Sequence, residues 1–120
     1  MSRTSNELRE RTKRYASAVV KLFLALPKGD SAAQVIGKQL LRSGTSVAAN
    51  FREASRARTG AEFASKLEVC VQEADESDLW LEPLREDCGI KNSNLDHLLK
   101  EINELIAIFV TMAKHTKSSR

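Results

Sequence analysis

Residues 42–54, RSGTSVAANFREA, put Ser43, Ser46, Asn50 and Glu53 at helical spacing in a segment where a bundle helix buries apolar side chains. A helix face that polar needs hydrogen-bond partners, because an unpaired buried polar group costs free energy. Glu73 lies within the apolar stripe of the next helical segment. We therefore expect the two segments to meet around a buried polar layer of Ser43, Ser46, Asn50, Glu53 and Glu73. A buried carboxylate must be paired or protonated. Hydrogen bonds from Asn50, the serines or Arg42 would make Glu73 a register-setting group, while a general base or metal ligand is the competing use.

Outward from this stretch, helical periodicity and stop signals divide the chain into four helices, at about 5–26, 31–57, 60–88 and 94–115, within a single domain 1–120. Thr4 with Glu7, Thr59 with Glu62 and Ser93 with Asp96 have capping-box spacing, and Asp30 or Ser31 can cap the second helix. Pro27 stops the first helix and Gly89 supplies an exit for the third. The connection Pro27–Asp30 is short, so successive helices should fold back on one another in an antiparallel, up-down-up-down, all-α four-helix bundle. Gly44 marks a kink or a close helix contact. Leu105 to Val110, LIAIFV, is apolar on every side, which points to cover by a second subunit.

The net charge of +3 is unevenly spread. Acids crowd the stretch from Glu73 to Asp87, and Lys38, Arg42, Arg52 and Arg56 form a basic stripe on the second helix, expected beside its core face. Two uses of that stripe stand side by side: holding nucleic-acid phosphates, or meeting the acidic side of the third helix in the same chain or a neighbour. The aromatic residues fall at inward positions, so any nucleic-acid contact should be backbone-directed and salt-sensitive.

The charged N-terminus lacks an apolar leader, and no stretch reaches the ~18 apolar residues of a membrane span, which fits a cytoplasmic protein with Cys70 and Cys88 reduced. His97 and His115 are isolated, and no Glu-x-x-His pairs, glycine-rich phosphate loop or nucleophile elbow occur. We expect no enzyme, no catalytic residues, no metal and no cofactor.

The run Gln39-Leu40-Leu41-Arg42-Ser43, then Thr45 to Asn50, Glu53-Ala54 and Arg56, and later Glu62-Phe63, Lys66-Leu67, Glu73-Ala74, Glu76 and Trp80-Leu81, resembles the bacterial four-helix-bundle proteins encoded in intervening sequences of large-subunit ribosomal RNA genes. The resemblance implies a homopentameric ring without catalytic activity, in which Arg42, Ser46, Asn50, Glu53 and Glu73 are structural and interface residues. The fold is also similar to the accessory variability protein of diversity-generating retroelements, which implies a reverse transcriptase and nucleic acid as partners. The expected function is a non-enzymatic oligomeric scaffold or adaptor that binds RNA or a ribonucleoprotein through its basic surface. The alternative is a protein-only interaction module whose stripe is used between subunits.

Overall fold

The computed structural model describes residues 3–118, which form four helices: α1 Arg3–Ala25, α2 Ser31–Ser55, α3 Gly60–Glu86 and α4 Ser93–Ser118. At 1.5 Å per residue these helices account for most of the longest dimension of a 50 × 20 × 19 Å rod. Each helix packs on its neighbours in sequence, and α4 returns beside α1, while α1 and α3 lie diagonally opposite across the core. The result is an all-α bundle with one core running its length.

Local chemistry sets the helix ends. Asp30 caps α2 by accepting the Ala33 N–H at 3.0 Å, and Thr59 caps α3 by accepting the Glu62 N–H at 3.1 Å. Glu62 returns the bond to Arg58 N–H at 3.4 Å, one residue earlier than a capping box would place it. The other two expected boxes are not formed. Thr4 is already helical and Glu7 pairs with Arg3, while at α4 the side chain of Asn92, not Ser93, accepts the Asn94 N–H at 2.9 Å. Helix α3 stops at Glu86, two residues short of expectation, because Gly89 turns left-handed at φ +65° and Ile90 N–H reaches back to Leu84 C=O at 3.0 Å.

The core is led by Leu22, Leu40, Phe51, Leu67, Leu81 and Phe109, with the Phe51 and Phe109 rings stacked at 5.7 Å. Gly37 and Gly44 lie in the inward face of α2, and a Cβ on Gly44 would come within 2.9 Å of Val19 Cγ2. Gly44 is therefore the site of a close α1–α2 approach. This contact turns the inward face of α2 toward α1, leaving Asn50 half-buried where the sequence pattern had it inward. In LIAIFV, Leu105 and Phe109 are buried by this chain, Ile106, Ile108 and Val110 are half-covered, and Ala107 is exposed. Much of the cover expected from a second subunit is thus supplied within the chain. Among the described residues no helix is long and apolar enough to cross a membrane.

Candidate functional site

Of the five residues expected in the polar layer, only Ser43 is buried, and its hydroxyl donates to the Gln39 carbonyl at 2.9 Å. Ser46 donates to Arg42 C=O at 2.7 Å, and Asn50 Nδ2 to Ser46 C=O at 2.9 Å. Each is satisfied by the preceding turn of its own helix, a local bond that needs no partner helix. Glu53 is exposed and meets Lys66 Nζ at 3.5 Å. The layer in which Asn50 meets Glu73 is therefore not formed.

Glu73 is half-buried, its side chain 18% exposed, and its carboxylate accepts from Arg42 Nη1 at 3.0 Å. The same guanidinium donates to Glu76, which also accepts from Trp80 Nε1 at 3.4 Å. The arginine fork is the strongest donor within reach of these acids, so it takes the place that Asn50 was expected to fill. The hydrogen bond from Arg42 holds the Glu76 carboxyl below its usual value, and the bond to Glu76 raises the guanidinium in turn.

The polar pair at the centre of the bundle is a different one, the Tyr15 hydroxyl against the Ser77 hydroxyl. Burial pushes the phenol up, the Ser77 bond opposing it. Both residues fall in the inward stripes of α1 and α3, and a buried tyrosine hydroxyl nearly always has a partner. That signal was available in the sequence. Burial also raises both thiols, to about 12 for Cys70, and neither cysteine is in a disulfide. Among the described residues no three His, Cys, Asp or Glu side chains gather as metal ligands.

The basic stripe divides. Arg42 turns to α3, while Lys38, Arg52 and Arg56 are exposed on the side of α2 away from the buried set, not beside it as expected. Arg52 and Arg56 join Arg9 and Lys13 of α1 around an open groove of about 480 Å³ floored by Ala16, Ala48 and Ala49, with Glu53 the one acid in its lining. Lys13, Arg52 and Arg56 have no ion-pair partner within 4 Å among the described residues. Arg9 and Lys13 were missed from the sequence, although their i, i+4 spacing puts them on one face of α1.

Guanidinium and ammonium groups at i, i+4 on two facing helices present donors to a series of phosphate or carboxylate oxygens. The alanine floor lets a partner come close to the helix backbones, and among the described residues no aromatic ring lines the groove for base stacking. Across the bundle, the outer face of α3 carries Asp75, Asp78 and Glu82 around Leu79, which is 52% exposed.

The family model for the 23S rRNA-intervening sequence protein matches residues 4–111. A crystal structure of a protein of unknown function from the S23 ribosomal protein family of Bacteroides thetaiotaomicron superposes with a TM-score of 0.81 at 31% identity, covering 92% of this chain and 97% of that one. No curated protein matches.

Proposed function

The chain belongs to the 23S rRNA-intervening sequence protein family, and on that premise we propose that it is a non-enzymatic, cytoplasmic scaffold that holds RNA or a ribonucleoprotein in the α1/α2 groove. Its subunit is an antiparallel up-down-up-down bundle, supported by the order of the cross-helix pairs. Leu26 meets Gly37 and Val19 meets Gly44, and Arg42 meets Glu73 and Glu53 meets Lys66. Assembly of these subunits into a homopentameric ring rests on the family likeness.

The observation that carries the RNA reading is the set of cations around the groove, of which Lys13, Arg52 and Arg56 have no ion-pair partner among the described residues. Like charges gathered on two facing helices repel, and polyanion binding relieves that repulsion. Filter binding of a labelled RNA across a salt series tests it. Three phosphate contacts give a slope in log affinity against log salt of about −2 for a single strand, and Arg52→Glu with Arg56→Glu should remove most of the binding. Binding indifferent to salt and to both reversals would defeat the proposal. A second reading is favoured by the acidic face of α3: the groove serves contacts between subunits, and the protein is a protein-only interaction module.

A further inference from the structure

The α1/α2 groove and the outer face of α3 are complementary in charge and in shape. The groove offers pairs of cations at i, i+4 on each wall over a floor of alanine methyls. On α3, Asp75, Asp78 and Glu82 surround one protruding leucine, Leu79, at spacings that keep all four on the same side of the helix. Neither Asp75 nor Glu82 has an ion-pair partner among the described residues, and Asp78 accepts only the Asn103 amide at 3.0 Å. Beyond Ala16, the same face of α1 continues at i+4 steps to Val20 and Leu24, both exposed. A phosphate backbone leaves such apolar groups in water, whereas an acidic helix carrying a leucine would cover them.

We propose that the Leu79 ridge of α3 from a second copy seats in the α1/α2 groove, and that RNA competes with it there. The competition rests on the preceding reading that the groove takes RNA phosphates; the contact between copies does not. A chain cannot fill its own groove, because α3 packs on α2 and α4 and turns Ser77 inward to Tyr15 of α1, which leaves Leu79 on its outer face, away from α1. Groove and ridge are different patches of one surface, so the contact is head-to-tail and repeats from copy to copy, the arrangement that closes into a ring when the rotation permits. RNA loading and subunit contact are then alternatives at each groove, so RNA is held where a groove is open, in a single chain or an unclosed assembly, and both weaken with salt.

A charge-swap series tests this. Sedimentation velocity gives the mass, and filter binding of a labelled mixed-sequence RNA hairpin gives the affinity, for the wild type and four variants whose helix content is matched by circular dichroism. Reversing the ridge, Asp75→Arg with Glu82→Arg, should lower the mass toward a single chain and tighten RNA binding by removing the competitor. Reversing the groove, Arg52→Glu with Arg56→Glu, should lower the mass and abolish RNA binding. Combining the two reversals should restore the mass but not RNA binding. Leu79→Ser, at an exposed position, should weaken association without changing any charge. A wild-type protein that sediments as one chain, a ridge reversal that keeps the wild-type mass, or a combined variant that fails to regain it overturns the contact between copies. Loss of RNA binding by the groove variant in those cases leaves the RNA reading intact. Restored mass with RNA binding unaffected throughout defeats the RNA reading and the competition, and keeps the contact.

Discussion

Replacing Gly44 by alanine sets two effects of opposite sign against each other. Helix propensity favours alanine over glycine by about 1 kcal/mol in a helix interior. Against it, the new Cβ would sit 2.9 and 3.0 Å from the two methyls of Val19 and 3.3 Å from its Cβ, where carbon atoms prefer about 3.5–4.0 Å. Valine is held in one rotamer on a helix, so its side chain cannot swing away and the helices must separate. Overpacking of this kind costs about 1–3 kcal/mol, and the rigidity of Val19 places this site in the upper part of that range. The expected net loss is about 1–2 kcal/mol, or roughly 3–8 °C in Tm for a chain of this size. Urea unfolding followed by circular dichroism, at one fixed protein concentration so that assembly does not enter the comparison, measures it. Adding Val19→Ala removes both obstructing methyls, so the double variant should be more stable than the sum of the single effects by about 1–2 kcal/mol. If Gly44→Ala stabilises the protein by its propensity gain, the close approach of α1 and α2 is not what glycine serves here. Gly44 is one turn before Ala48, so the same variant should also widen the groove and weaken whatever occupies it.

Three further outcomes follow from buried or paired groups. Tyr15→Phe leaves the Ser77 hydroxyl without its partner and should cost about 1 kcal/mol, while Tyr15→Phe with Ser77→Ala should cost less than the two single changes added, both read from urea midpoints. Because Arg42 lowers the folded-state pKa of Glu76, that interaction stabilises the protein above the usual carboxylate value of 4.5 and is lost as pH falls through the depressed pKa. The Tm difference between the wild type and Arg42→Met should accordingly be present at pH 7 and shrink as the pH is lowered below the usual carboxylate range; a difference that grows on acidification would reverse the assignment. Cys70, buried and raised to about 12, should resist a thiol reagent in the folded protein while half-buried Cys88 reacts first, as peptide mapping after brief labelling would reveal.

The number of helices and most inward residues were legible because they depend on periodicity and on breakers, both properties of neighbouring residues. Leu22, Leu40, Phe51, Leu67 and Phe109 fall in the core for that reason. The polar layer was misplaced because its members have local alternatives. Ser43, Ser46 and Asn50 bond to carbonyls of their own helix, which spacing alone does not distinguish from bonding across helices. Arg42 stood among the possible partners of Glu73, and only packing of α2 on α3 selects it. The groove was half legible. Arg52 and Arg56 were marked as cations of one stripe, but Arg9 and Lys13 come from a helix far away in sequence, and the rotation of α2 toward α1 brings the two pairs together.

That rotation connects the glycines to the charge layout. With no side chain at positions 37 and 44, α2 can lie against Val19 and Leu26 of α1. Closer approach also brings two rows of cations together, which electrostatics alone would resist. Internal carboxylates relieve the neighbouring arginines: Arg42 has Glu73 and Glu76, and Arg11 of α1 has Glu101 and Glu104. Arg52, Arg56 and Lys13 have no such partner among the described residues. A bundle selected for its own stability alone could place a glutamate at Ala48 or Ala49, within reach of those cations, where an exposed ion pair is worth up to about 1 kcal/mol. Introducing Ala49→Glu therefore separates stability from binding. Thermal stability should hold or rise slightly while occupancy of the groove falls, whether the occupant is RNA or a second copy. Retained stability with undiminished binding and assembly would place the functional surface elsewhere on the bundle.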